Sequence, residues 1–256
     1  MTRVALAAGA VLLLAGTAGA QHLSTNGQTA NNPPFNPAPP PDTVNYVVDD
    51  GTVETGVGIT DPGGGTHDII WLNRFAVQAG GERITNILTA FGSPGDTRNY
   101  NGIPVTLVLY SDPDGGSTQN ATLVRSFNTV VTNGNTGIIN NYAITPAVVS
   151  NFMLVGVLAK NLPTGTTGTD PNARFLASQD QTDPDVAGVS FAGFTDPGNT
   201  LNEANLASIP AGQYATIESF GLPGNWAVRA TGEPIPEPVS LGVIGMAGLL
   251  IARRRH

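Results

Sequence analysis

In this chain of 256 residues, 32 glycines and 20 prolines stand against only 12 % charged residues, a composition that disfavours long helices and favours short strands joined by tight turns. The absence of cysteine excludes disulfides and thiolate metal sites. Between Asp42 and Glu237 there are 19 acidic and seven basic residues, and the resulting net charge of −12 disfavours nucleic-acid binding.

The N-terminus has the features of a secretory signal peptide. One arginine precedes an apolar run over residues 4–15, and Ala18-Gly19-Ala20 forms the small-x-small pattern that signal peptidases recognise. Cleavage is therefore predicted before Gln21, and residues 1–20 are excluded from the fold. The alternative, an N-terminal membrane anchor, is disfavoured because the apolar run is too short to span a bilayer.

Residues 21–43 are predicted to be a disordered, extended spacer. Asparagine, glutamine and threonine give way there to a proline cluster, and no apolar periodicity is present. Such a composition cannot form a packed core.

Residues 44–232 are predicted to form the folded domain. Apolar residues alternate there with a period of two, which is typical of strands. In one run, for example, Trp71 and Phe75 share a face with Asn73. The predicted strands, about eleven in number, are Val44–Val48, Ile69–Val77, Arg83–Phe91, Ile103–Tyr110, Ala121–Val130, Gly137–Ile144, Phe152–Ala159, Ala173–Ser178, Gly188–Phe194, Gln213–Phe220 and Asn225–Ala230.

The segments between these runs carry turn signals, such as DPGGG at Asp61 and SDPDGG at Ser111. Short strands punctuated this regularly predict an all-β fold, an antiparallel β-sandwich of jelly-roll-like type. One helix of at most two turns is predicted over Thr200–Pro210, where Thr200 and Glu203 have capping-box spacing. The similar stretches GITDPGG and GFTDPGN are interpreted as shared turn chemistry and not as a repeat.

Asp112 and Asp114 are weak candidates for calcium ligands, because oxygen-rich turns with glycine can enclose that ion. The twelfth position of an EF-hand loop would be Leu123, so a hairpin turn is the favoured interpretation. A calcium site in a sandwich would also recruit distant carboxylates such as Asp49 or Asp50.

Other residues are of types that act as catalytic or binding groups. His22 and His67 lack a partner motif, so a surface or turn position is favoured for His67. A polar loop carries Asp180, Asp183 and Asp185, three carboxylates that raise the question of glycoside cleavage, although solvated side chains are the favoured interpretation. Trp71 and Trp226 are in phase with apolar neighbours, which favours core positions over sugar-stacking surfaces.

The C-terminus combines three parts in a fixed order. Pro236, Glu237 and Pro238 precede an uncharged run over residues 239–252, and Arg253, Arg254 and Arg255 follow it. As a helix the run would rise about 21 Å, less than the roughly 30 Å of a bilayer core. This predicts transient insertion into the inner membrane, with the basic residues on the cytoplasmic side.

In these residues the tail, taken as 233–256, resembles the PEP-CTERM sorting signal. The resemblance implies export, recognition by an exosortase-type membrane protease and cleavage near the Pro-Glu-Pro motif. It also implies a mature protein at the cell surface or in the extracellular matrix of a bacterium that makes exopolysaccharide. An ordinary C-terminal anchor is the alternative. The domain itself resembles a β-sandwich module of secreted bacterial proteins to which no activity attaches, in its DDG turn, NRF strand, IPVTLVLYSDPDG hairpin and GNW strand.

The sequence thus predicts a non-catalytic exported surface or matrix protein with no cofactor. A carbohydrate-binding module that recognises exopolysaccharide is the alternative, and a secreted glycoside hydrolase is a more remote one.

Overall fold

The computed structural model describes residues 22–25, 43–168, 170–182 and 185–236. Within these ranges the chain forms fourteen strands and three short 3-10 helices. The strands are β1 (His22–Thr25), β2 (Val44–Tyr46), β3 (Thr55–Thr60), β4 (Thr66–Ala76), β5 (Arg83–Thr89), β6 (Pro104–Asp112), β7 (Thr122–Val130), β8 (Asn140–Val148), β9 (Phe152–Pro163), β10 (Ala177–Asp180), β11 (Ser190–Phe194), β12 (Tyr214–Thr216), β13 (Asn225–Trp226) and β14 (Val228–Glu233). The 3-10 helices are Thr118–Asn120, Leu206–Ser208 and Ile217–Phe220.

The strands form three antiparallel sheets. The first has the order β1-β3-β10-β13, the second β12-β11-β4-β9-β6-β7, and the third β2-β14-β5-β8. Side chains from all three sheets meet in one core, for example Trp226 of the first, Trp71 of the second and Ile87 of the third. The predicted antiparallel β-sandwich is therefore confirmed.

The second sheet is apolar on both faces. Ile69 and Trp71 of β4 point into the main core, whereas Ile70 and Leu72 point to the opposite side. There they pack in a second cluster with residues of the segment 195–213, which lies over the sheet. The predicted period of two is confirmed, and the covering segment explains why consecutive residues of β4 are all buried.

The predicted helix over Thr200–Pro210 is wrong. Only Leu206–Ser208 is helical, as a single 3-10 turn. The N–H group of Leu201 donates to the Asp68 carboxylate at 2.7 Å, and Leu201, Leu206 and Ile209 are all buried against the second sheet. Packing of these three side chains over the sheet takes precedence over the local helix signal.

Two strands, β1 and β3, lie where no strand was predicted. The prediction placed His22–Thr25 in the disordered spacer, but these residues pair in antiparallel register with β3, with Leu23 opposite Ile59. Leu23 is only 3 % exposed and belongs to the main core. The first residues after the predicted cleavage site therefore complete the edge of the first sheet.

Among the residues that the structure describes, no helix has the length and apolar character needed to cross a bilayer. The predicted membrane run 239–252 lies outside those residues. The same is true of Ala18, Ala20 and Gln21 at the signal cleavage site, and of Glu237, Pro238, Arg253, Arg254 and Arg255 in the sorting signal.

The burial of Leu23 predicts that β1 contributes to stability. In a chain that is expressed from Gln21 onwards, Leu23→Ala should lower the free energy of unfolding by about 2 kcal/mol, because it leaves a cavity next to Ile59. Urea unfolding measures this value. Thr25→Ala, at the half-buried end of the same strand, is the control. Equal and small effects of both substitutions would show that β1 is not packed in solution.

Candidate functional site

The main cluster of ionisable side chains in the described residues joins the loop between β2 and β3 to the end of β10. Carboxylate oxygens of Asp50, Glu54 and Asp180 all lie within 4.8 Å of one another. Antiparallel pairing of β10 with β3 sets Gln179 opposite Thr55, which places Asp180 beside Glu54. The turn at Asp49–Gly51, where Gly51 has a φ of 100°, brings Asp50 to the same place.

Hydrogen bonds hold each carboxylate of this acidic cluster in position. Asp180 accepts from the Asp50 N–H at 2.6 Å and from the Thr182 N–H at 2.9 Å. Glu54 accepts from the Gln181 N–H at 2.9 Å and from the Thr52 hydroxyl. The three side chains are thus oriented by backbone groups on both connected segments.

The cluster carries more negative than positive charge. The neighbouring Asp49 and Arg229 are both buried and form an ion pair. The Arg229 guanidinium therefore already has a carboxylate partner outside the cluster. Burial and the nearby Asp180 carboxylate raise the pKa of Glu54. The pKa of Asp50 is lowered in spite of partial burial, because Thr52 and Thr182 donate hydrogen bonds to its carboxylate.

Three convergent carboxylates can either share a proton or bind a cation. They can share a proton, which Glu54 is best placed to hold because its pKa is raised. They are also oxygen ligands of the kind that hard divalent cations prefer. Asp50 belonged to the predicted distant calcium ligands, whereas Glu54 was not identified because the two segments lie about 130 residues apart and no local motif joins them.

The other predicted calcium ligands, Asp112 and Asp114, do not form a comparable group. The Arg74 guanidinium lies 2.8 Å from Asp112, so a cation already faces that carboxylate. Burial raises the pKa of Asp112, and Arg74 opposes this effect. Asp114 accepts from the Gly116 N–H at 2.9 Å and from Asn120, which is the hairpin-turn role that the sequence favoured.

His67 is buried, and the prediction of a surface or turn position is wrong. Its side chain is 0 % exposed, with Nδ1 2.6 Å from the Thr195 carbonyl and Nε2 3.1 Å from an Asp61 carboxylate oxygen. The two similar turns, one at Asp61 and the other at Thr195, therefore meet around this imidazole. Because both ring nitrogens have polar partners and the side chain is buried, His67 links the two turns structurally.

The loop carboxylates considered for glycoside cleavage differ in burial. Asp180 is 1 % exposed, so the prediction of a solvated side chain is wrong for it. Asp185 is exposed, and Asp183 lies outside the described residues.

Both tryptophans are in the core, as predicted. Trp71 and Trp226 are each 0 % exposed, so neither presents a ring for stacking on a sugar. Trp226 also donates its indole N–H to the Phe191 carbonyl at 2.7 Å.

Comparison with known proteins finds little. No protein-family model matches the chain, and no curated protein matches it. Two solved structures of the clostridial protease Cwp84 are distantly similar. The structure of the cysteine protease and lectin-like domains of Cwp84, a surface layer associated protein of Clostridium difficile, has a TM-score of 0.46 and 14 % identity, covering 77 % of this chain and 37 % of that one.

The second is a variant of the clostridial cysteine protease after propeptide cleavage. Its TM-score is 0.43 at 13 % identity, and the match covers 77 % of this chain and 41 % of that one. This chain therefore spans about two fifths of the length of the chains that it resembles. No conclusion about function follows from likeness at this level.

The raised pKa of Glu54 predicts a pH-dependent stability. A carboxyl whose pKa is higher in the folded state stabilises the fold when protonated, and this contribution is lost as the pH rises above the ordinary glutamate value. Between pH 4.5 and 7 in EDTA, the unmodified protein should therefore lose stability relative to Glu54→Gln, which has no carboxyl group to titrate at this position. Urea unfolding at both pH values tests this.

Asp50→Asn is the contrasting variant, because the pKa of Asp50 is lowered. Its carboxylate stabilises the fold above the ordinary aspartate value, so this substitution should cost most stability at pH 7 and least at pH 3. The same slope for both variants would contradict the opposite environments assigned to the two carboxylates.

Proposed function

We propose that this protein is a non-catalytic component of the bacterial cell surface or extracellular matrix. It is exported by its signal peptide, held briefly in the inner membrane by residues 239–252, and released by an exosortase-type protease that cleaves near Pro236–Pro238. The observation that carries the proposal is the C-terminal order of a Pro-Glu-Pro motif, a short uncharged run and three arginines. A run too short for a stable span suits a temporary anchor.

The position of the motif relative to the fold supports this function. The last strand of the described residues, β14, ends at Glu233, and Pro236 is exposed three residues later. Cleavage near the motif would leave every described strand intact. The released product would be the complete sandwich, with its N-terminal strand β1 paired to β3.

The acidic character of the domain fits the same function. A net charge of −12 between Asp42 and Glu237 keeps a secreted domain soluble and repels anionic lipid headgroups. After removal of the tail, the net negative charge of the domain does not favour binding to the membrane surface.

Replacing Pro236, Glu237 and Pro238 by alanine tests the proposal. The variant should accumulate as a membrane-bound precursor that retains its arginine cluster, because the protease no longer recognises its signal. Cell fractionation and intact mass spectrometry distinguish the precursor from the shorter mature form.

The control replaces Pro39, Pro40 and Pro41 in the spacer by alanine, which also changes three consecutive residues but lies far from the tail. This variant should mature normally. Normal release of the Pro236–Pro238 variant, or a mature surface protein that still contains residues 239–256, would refute the proposed sorting.

A further inference from the structure

The chain leaves the sandwich at the end of β14, an interior strand of the third sheet. Strand β14 is hydrogen-bonded on both sides, to β2 and to β5, up to its last residues. Gly232 packs so closely that a Cβ atom at this position would lie 2.0 Å from the Gly81 carbonyl oxygen. The polypeptide is therefore held in the sheet as far as Glu233.

The sequence beyond Glu233 predicts a short, extended connection to the motif. Residues 234–238 read Pro-Ile-Pro-Glu-Pro. Each proline fixes its own φ and biases the preceding residue towards an extended conformation. Five extended residues span about 15 Å at 3.1 Å per residue. Only Pro234, Ile235 and Pro236 separate the sheet from Glu237 in the centre of the motif.

The end of the third sheet at this point combines an ion pair with two exposed apolar side chains. Arg83 lies between Glu233 on one neighbouring strand and Val148 on the other, and its guanidinium is 2.7 Å from the Glu233 carboxylate. Val148 and Ile235 are 54 % and 47 % exposed, the two highest values among the large apolar side chains of the described residues. We call Arg83, Val148, Glu233 and Ile235 the exit patch.

We propose that the exit patch is a contact surface for the membrane protease that processes the tail. A protease that binds an extended stretch around its scissile bond would also contact residues 234–236 and the end of the third sheet. The reason is that β14 stays paired up to Glu233, so no further residues are free to lengthen the connection. The exposed apolar side chains then become buried against the enzyme. The negative charge of the domain disfavours the lipid surface as the partner. This inference rests on the proposed function and adds the folded domain to what the protease recognises.

Separating the patch from the motif is the first test. A ten-residue Gly/Ser insertion between Glu233 and Pro234 leaves the motif next to its membrane run but detaches it from the sheet. Pulse-chase conversion of precursor to mature form in the producing cells should slow by about fivefold, the effect of losing roughly 1 kcal/mol of contact. The same insertion after Asn32 in the spacer is the control and should leave the rate unchanged.

The second test changes the patch without changing the tail. Val148→Asp should also slow conversion by about fivefold, whereas Val130→Asp should not. Val130 is a matched control, since it is 45 % exposed on the edge strand β7 of the second sheet. Resistance of the domain to added protease in both variants shows that it remains folded.

Three results would overturn the inference. One is an insertion at Glu233 that leaves processing unchanged or faster, and another is an equal effect of the two valine substitutions. The third is binding of the tail-less mature protein to phosphatidylethanolamine–phosphatidylglycerol vesicles that is lost in Val148→Asp, because this would assign the patch to lipid. Failure of the proposed function is recognised separately, by normal processing after alanine replacement of Pro236–Pro238.

Discussion

The packing of β14 between β2 and β5 is the constraint that links the fold of this protein to its proposed sorting. An interior strand is hydrogen-bonded along both edges and cannot detach without disrupting a sheet. Asn73 of the second sheet strengthens this arrangement, since its side-chain amide donates to the carbonyls of Trp226 and Val228 at 2.8 Å. The chain is consequently held in the third sheet as far as Glu233, and only two residues separate Glu233 from Pro236 in the sequence.

The many aspartates of the domain have a recurrent architectural role. Their carboxylates accept from the backbone N–H two residues later, which stabilises the turns between strands. The pattern recurs at Asp49, Asp50, Asp61, Asp96, Asp114, Asp170 and Asp180. Much of the acidity that the composition shows is therefore explained by turn geometry. Asp180 has a second role as well. It accepts from the Thr182 N–H in its own turn, and it also lies in the acidic cluster with Asp50 and Glu54.

The strands with long apolar runs were predictable, and those without were not. In β4 and β9 nearly all of the central residues are buried, because successive side chains point alternately into the main core and the second cluster. Strand β3 reads TGVGIT, with two glycines that weaken the signal. Gly58 is needed there because a Cβ atom would lie 2.2 Å from the Arg174 carbonyl oxygen, a close approach that only the folded chain reveals.

The class of fold could be predicted from the amino-acid sequence, and the two proposed terminal signals rest on it alone, because periodicity, turn residues and short apolar runs are local properties of the chain. Tertiary structure alone decided which distant side chains meet. It placed Glu54 beside Asp180, set Arg74 against Asp112 and enclosed His67 between two turns. These contacts depend on strand order and register, and they join residues up to about 130 positions apart, so they leave no spacing signal in the sequence.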